Sequence, residues 1–204
     1  MSDRQAHWEN VYSTKGENEV SWFQESPAIS LDLIKAAAAT RDSAIVDIGG
    51  GASRLVDSLL ADGFRVLTVL DLSPAALNTA RARVGRSGDA VEWIATDVTT
   101  WTPSRRYDIW HDRAAFHFLT DAGDRTAYVE RLRAALRPGG QAIIGTFALD
   151  GPEKCSGLPV QRYDAASLQR TLGPDFTLAE VRTETHTTPW GSTQSFQFGR
   201  FART

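Results

Sequence analysis

Cysteine occurs once in the 204 residues, at Cys155, so no disulfide can form within the chain and a reducing compartment is expected. Basic residues are not in excess. The 22 Lys and Arg stand against 25 Asp and Glu, and a net charge of −3 offers no electrostatic footprint for nucleic acid or an anionic membrane. No apolar run approaches the roughly 20 residues needed to cross a bilayer. Met1 to Asn10 is polar and mixed in charge, unlike a secretory signal, so a cytoplasmic location is expected. Internal repeats, low-complexity tracts and linkers are also lacking, and Cys155 has no companions at metal-ligand spacing. What remains is 42% hydrophobic and 23% charged, an ordinary globular composition long enough for one full core. The expectation is one domain over 1–204, with no metal, nucleic acid or membrane partner, as a monomer or weak homodimer.

The chain is organised around Ile45-Val46-Asp47-Ile48-Gly49-Gly50-Gly51-Ala52-Ser53. A short apolar run meets three glycines, and a helix-forming segment from Arg54 to Ala61 follows. Strand, glycine turn and helix let backbone N–H groups approach a ligand where side chains would block it. A dinucleotide G-x-G-x-x-G aligned on Gly49 and Gly51 places Arg54 at the third glycine. Asp-x-Gly-x-Gly-x-Gly leaves only Ser53 out of register, and serine is small and a good helix N-cap.

Alternation continues from there. Strands are expected at Ala44–Ile48, Arg65–Leu70, Ala90–Ala95, Tyr107–His111 and Gln141–Phe147. Helices are expected at Ala75–Val84 behind Ser73-Pro74, in a run after Arg113, and at Asp124–Leu136, stopping at Pro138-Gly139-Gly140. This argues for βαβ units and a parallel sheet with helices on both faces. Ala148 to Gln161 reads as a loop and Asp164 to Leu172 as a short helix. Two final strand-like runs, Thr177–Thr185 and Gln194–Phe201, predict a hairpin whose last strand is antiparallel. Ahead of the sheet, residues 1–43 form a helical cap: Asp3–Lys15 carries Trp8, Val11 and Tyr12 on one face, and a second helix runs from Pro27 to Ala39. Trp22 and Phe23 follow a loop and fit either a core anchor or a lid over a ligand.

In an open parallel sheet, ligands bind beyond the carboxyl ends of the strands. The first end carries the glycine turn. The second carries Asp71 and Leu72, about twenty residues past Gly51, where a carboxylate can accept both hydroxyls of a ribose. The third carries Asp97 and Val98, a carboxylate for an adenine amino group beside an apolar wall. His111-Asp112-Arg113 lies at the fourth. Each Asp could alone be a turn residue, but three in phase with the glycine turn suggest a nucleoside site.

With Leu136-Arg137-Pro138-Gly139-Gly140 and the terminal hairpin, residues Ile45 to Thr204 resemble the class I S-adenosylmethionine (SAM) methyltransferases. The resemblance implies a Rossmann-like seven-stranded sheet over 44–204, SAM as cofactor, and Asp47 steering the glycine loop and the methionine ammonium. It implies a methyltransferase acting on a small nucleophile, such as a thiol or another soft or anionic acceptor. A protein lysine, or SAM binding without catalysis, are the other readings. Ile109 to Phe116 is similar to the Ile-Trp-Asp-Arg-Gly-Ala-Leu run of thiopurine S-methyltransferases, with one extra residue and Ala114 in place of glycine. Asp150 to Val160, with Lys154, Gly157 and Pro159, is similar to their loop after the fifth strand, with Leu158 in place of proline. Trp8, Tyr12, Lys15 and Phe23 share the spacing of their N-terminal cap. Glu19 to Phe23 resembles small lysine methyltransferases instead.

The resemblance to thiopurine enzymes implies that Arg113 borders the acceptor and stabilises an anion; a salt bridge to Asp112 or Asp121 is its alternative role. His117, in the helical run, is a candidate general base, although Phe116 and Phe118 beside it also fit a core histidine. His111 is expected at the cofactor. His186 lies before the hairpin turn and fits either the acceptor pocket or a surface loop.

Overall fold

The computed structural model describes residues 2–204; Met1, where the cap range begins, lies outside them. A seven-stranded sheet runs in the order β3-β2-β1-β4-β5-β9-β8. Its strands are β1 (Ala44–Ile48), β2 (Val66–Asp71), β3 (Glu92–Ala95), β4 (Tyr107–Arg113), β5 (Leu136–Phe147), β8 (Phe176–Thr187) and β9 (Thr193–Arg203). The first five pair in parallel, and β9 is antiparallel to both neighbours, β5 and β8. The hairpin therefore inserts its last strand next to β5 and leaves β8 at the edge. Chain order reverses between β1 and β4, which opens a crevice at the carboxyl ends of both.

Alternation along the strands supplies two apolar faces. Val46 and Ile48 of β1 join Trp110, Tyr128 and Leu132 on the face covered by α5 (Ala122–Ala135) and α6 (Ala165–Leu172). Ile45 joins Ile109 and Ile143 on the other, covered by α2 (Ala28–Ala36), α3 (Leu55–Ala61) and α4 (Pro74–Val84). With both faces covered, every residue of β1 is buried. The first helix, α1 (Asp3–Thr14), joins neither face. Its Trp8 and Val11 build a separate small cluster with Val20 over the crevice.

Several element boundaries differ from expectation, each for a local reason. The run after Arg113 is a single 3-10 turn, Phe116–Phe118, because Ala114 takes φ 67° and the Asp112 carboxylate captures the N–H groups of Ala115 and Phe116. Helix α5 stops at Ala135 rather than at the Pro-Gly-Gly, since Leu136 is already extended at ψ 142°. Strand β5 thus takes in Pro138-Gly139-Gly140, and its register against β4 shifts between Tyr107 and Ile109. The third strand begins at Glu92, because Gly85–Ala90 forms a 3-10 turn. The expected loop after β5 contains a short ribbon, β6 (Lys154–Cys155) against β7 (Leu158–Pro159). Among the described residues, no helix is long and apolar enough to cross a membrane.

Candidate functional site

The glycine turn closes over the end of β2: the N–H groups of Gly49 and Gly50 both donate to the Leu70 carbonyl, at 2.8 and 3.2 Å. Gly51 sits at φ 42°, and a Cβ there would lie 2.9 Å from Asp71 Oδ2 and 3.0 Å from the Tyr12 hydroxyl. Any side chain would fill the slot between β2 and the cap, so this position needs glycine. Arg54, not Ser53, is the residue flanking the start of α3, yet Ser53 still accepts from the Leu55 N–H at 3.1 Å. Its helix-start role is kept one position early.

Asp71 lies at the floor of the crevice and accepts from the Ser73 N–H at 2.8 Å. Burial pushes its pKa up to about 7, and nearby Asp47 adds to this; the N–H groups of Ser73, Gly51 and Leu72 oppose the shift. Leu72 and Val98 line the same crevice. Asp97 also faces it, but its carboxylate is already engaged: Thr99 donates twice to Oδ1, and Arg4 of α1 binds Oδ2 at 2.8 Å. Arg4 bonds Asp124 as well, at 3.0 Å. Asp97, expected at an adenine, is thus engaged by a cap arginine that the strand-end pattern gave no sign of.

A second hollow adjoins the first across Gly49, Tyr12, Trp22 and Arg113. Asp47 and Gly50 line it, together with Ser53 and Arg54. His111 stands in its wall with both ring nitrogens occupied, Nδ1 at 2.7 Å from Asp47 Oδ1 and Nε2 at 2.9 Å from the Ser30 hydroxyl.

At the junction of the hollows, Arg113 ends β4. Its Nη1 donates to the Trp22 carbonyl at 2.8 Å, and the guanidinium lies 4.9 Å from the centre of the Phe196 ring. Nε and Nη2 are buried with no hydrogen-bond partner, and Glu184 is 4.0 Å away, too far to bond. Burial pulls the pKa of Arg113 down to about 10, opposed by Glu184. Neither expected salt bridge forms. Asp112 is fully buried and accepts from Ala115, Phe116 and the Tyr128 hydroxyl, while Asp121 caps α5. Cys155, brought in by the ribbon, lines the same crevice, and burial pushes its thiol up to about 11. Trp22 Nε1 donates to the Tyr12 hydroxyl at 3.1 Å, which joins the two cap aromatics over the junction.

The remaining histidines are corrected by their surroundings. His117 is fully buried, its ring centre 4.5 Å from that of Phe118 and 4.7 Å from that of Phe147, and its Nδ1 accepts from the Phe147 N–H at 3.3 Å. It lines neither hollow, and burial, reinforced by Arg113, pulls its pKa down to about 3. The core placement holds, and a proton-accepting role at the crevice does not. His186 is no surface loop residue. It is buried near the end of β8 and donates from Nε2 to the Ser21 carbonyl at 2.7 Å.

The cap is fastened at several polar points that its periodicity did not announce. Glu9 accepts from the Ser73 hydroxyl and from the Ala75 N–H at the start of α4. Glu17 pairs with Arg54 and Arg83, and Gln24 donates to Glu184. These partners lie far away in sequence, so no local signal could have found them.

A sequence profile described as a methyltransferase domain matches residues 45–140. Over 108 residues the chain is 31% identical to a malonyl-[acyl-carrier protein] O-methyltransferase of Paenibacillus sp. (strain JDR-2), a match covering 50% of this chain and 38% of that protein. The matched stretch is thus well under half the length of that relative. In three dimensions the chain is similar to a protein solved in connection with the conversion of a disulfide bond into a thioacetal group during echinomycin biosynthesis. The TM-score is 0.77 at 22% identity, over 98% of this chain and 93% of that one. It is also similar to the N-methyltransferase NodS of Bradyrhizobium japonicum in complex with S-adenosyl-l-homocysteine, with TM-score 0.74 and 18% identity over 98% and 99% of the two chains. At these identities the structural likeness speaks for the fold.

Proposed function

We propose that the chain, whose residues 45–140 match a methyltransferase-domain profile, is a class I SAM-dependent methyltransferase and methylates a small, soft or anionic acceptor such as a thiol, held beside Arg113. The observation that carries this reading is the guanidinium at the junction of two connected hollows, with two buried nitrogens left without partners. Buried donors of a cation left without hydrogen bonds are costly, and an anion or a strong acceptor group entering the junction would satisfy them.

The residues present fit SAM. The slot at Gly51 is free of side chain, Asp71 offers a carboxylate to the ribose hydroxyls, and Leu72 and Val98 flank the place of the base beside Asp97. Asp47 and the glycine turn serve the amino-acid end in the second hollow. When bound, SAM supplies an electrophilic methyl group and its own leaving group, so strong acid catalysis by the protein is not required. The task left to the protein is to align the acceptor at about 3 Å and to exclude water. Tyr12 and Trp22 cover the junction, and Arg113 stabilises the acceptor's anionic form. A thiol ionises near neutral pH and needs no dedicated base, which suits a crevice that His117 does not reach. That the echinomycin-related neighbour is associated with disulfide chemistry agrees with a sulfur acceptor. Closure of the crevice by the cap favours a small acceptor over a lysine on a protein surface.

Incubation with methyl-labelled SAM, a panel of thiols and a cell lysate tests the reading. Label in small products is expected. Label in one protein band would replace the reading with protein methylation, and label in nothing would leave a SAM-binding module. Arg113→Gln is expected to lower kcat by roughly ten- to a hundredfold, the loss of a hydrogen bond to a charged group, while affinity for S-adenosylhomocysteine stays within about twofold. Unchanged kcat with an anionic acceptor would remove Arg113 from the acceptor site.

A further inference from the structure

On the face of the sheet covered by α2, one rung of β1 and β4 pairs two buried polar side chains. β1 and β4 run in parallel register, so Ile45 stands beside Ile109 and, two residues on, Asp47 stands beside His111. Helix α2 covers this face with Leu33 and Ile34, and Ser30 lies on the same stripe at i, i+3, i+4 spacing. Three polar side chains therefore meet where apolar ones would pack: Ser30 is 1%, His111 2% and Asp47 5% exposed. A buried polar cluster of this kind adds little or no stability over an apolar one of the same shape, so its presence calls for a role.

Hydrogen-bond direction supplies that role. The Asp47 carboxylate can only accept, so the proton of the 2.7 Å contact lies on His111 Nδ1. Nε2 meets the Ser30 hydroxyl across 2.9 Å, a group able both to donate and to accept, so this contact holds the ring in place. The contacts link Ser30, His111 and Asp47 in series, and the donation from the ring ends on Oδ1. Oδ2 is turned to the glycine turn, where a Cβ on Gly50 would lie 2.7 Å from it, and Asp47 lines the second hollow.

We propose that Ser30 and His111 form a positioning relay that holds the Asp47 carboxylate with one oxygen fixed and the other presented to the ammonium of the cofactor's amino-acid end. This rests on the SAM reading above and deepens it. His111 is then a positioning residue behind Asp47 rather than a contact of the cofactor. A fixed carboxylate loses less freedom on binding, so the relay adds affinity only for ligands that carry the amino-acid end.

Calorimetric titration of the full chain with S-adenosylhomocysteine and with 5′-methylthioadenosine, which lacks the amino-acid end, separates the relay from mere packing. His111→Leu is expected to weaken S-adenosylhomocysteine roughly tenfold, consistent with loss of a charge-assisted bond, and to leave 5′-methylthioadenosine within about twofold. His111→Asn, which returns an N–H near the Nδ1 position, should recover most of the loss. Ser30→Ala should cost a smaller factor with the same selectivity, and it decides the matter if His111→Leu does not fold. Equal losses on both ligands, or unchanged S-adenosylhomocysteine affinity, would overturn the relay while leaving the SAM reading intact. A wild-type protein that binds neither ligand would overturn both.

Discussion

Deletion of residues 1–24 is expected to leave a folded protein that binds SAM more weakly and transfers methyl at least roughly a hundredfold more slowly. The cap contributes Trp8, Val11 and Val20 to a cluster of their own, whereas the buried members of both sheet-face clusters come from residue 33 onward. Helix α2 starts at Ala28 and survives the cut, so Leu33 and Ile34 still cover the sheet. What is lost is the wall of the crevice: Tyr12 and Trp22 at the junction, Arg4 on Asp97, and the carbonyl that receives Arg113. An open junction admits water around the acceptor and loosens its alignment, and effects of that kind reach a hundredfold and more. Most of the polar fastenings of the cap are partly exposed, and such pairs contribute about 0–1 kcal/mol each, so opening is affordable while the sheet stays intact. Hydrogen exchange should show this segment gaining protection when SAM binds. Full protection without ligand, or a truncated chain that fails to fold, would make the aromatics part of the core and end the lid proposal.

Asp71→Ala should weaken SAM by roughly ten- to a hundredfold, because a charged acceptor of two hydroxyl donors is removed at about 1.5–3 kcal/mol. Its titration gives a second, signed expectation. In the free protein Asp71 is held up to about 7, from an ordinary value of 3.8, chiefly by burial. For an acid raised on folding, the ionised form is the disfavoured one, so this group costs the fold stability progressively as pH climbs from about 4 to about 7. Ribose hydroxyls donate to the ionised form, so affinity moves the other way. It should climb as pH rises towards 7, by up to tenfold per unit, and level off above. 5′-Methylthioadenosine is the ligand for this measurement, since it has no amino group to titrate. Asp71→Asn should bind with a flat profile between about pH 5.5 and about pH 8, a window that spans the Asp71 midpoint. A flat profile in the wild type would mean that Asp71 does not meet the ribose, as would unchanged affinity in a folded Asp71→Ala protein.

The order of strands and helices could be read from the sequence because each element announces itself locally. The apolar run of β1, the three glycines and α3 are contiguous, and Asp71 and Asp97 stand directly at the ends of their own strands. Backbone conformation at Gly51 needs no distant partner to explain it, only a turn without a Cβ. The position of β9 between β5 and β8 was half legible: a hairpin fixes that its strands pair, while the sheet edge it joins is a matter of tertiary packing. The 3-10 turn after Ala114 differs from the expected helical run because a helical spacing of apolar residues survives in a short turn that a buried carboxylate has already captured.

Side-chain partnership is what the sequence could not give. His117 and His111 are both histidines near the end of β4, six residues apart, yet one is sealed among phenylalanines and the other stands behind Asp47. Arg4 reaches Asp97 across 93 residues of chain, and Ser30 reaches His111 across 81. Periodicity reports which face of its own element a residue occupies. Which groups arrive opposite that face depends on strand order, register and the path of the cap, and so does whether a buried charge such as that of Arg113 finds a partner. The sequence by itself determined the sheet and the strand-end carboxylates that suit a nucleoside; the tertiary structure alone decided the Ser30–His111–Asp47 contacts, the cap over the crevice and the Arg113 nitrogens left without a hydrogen bond, because each depends on which groups distant in sequence arrive beside one another.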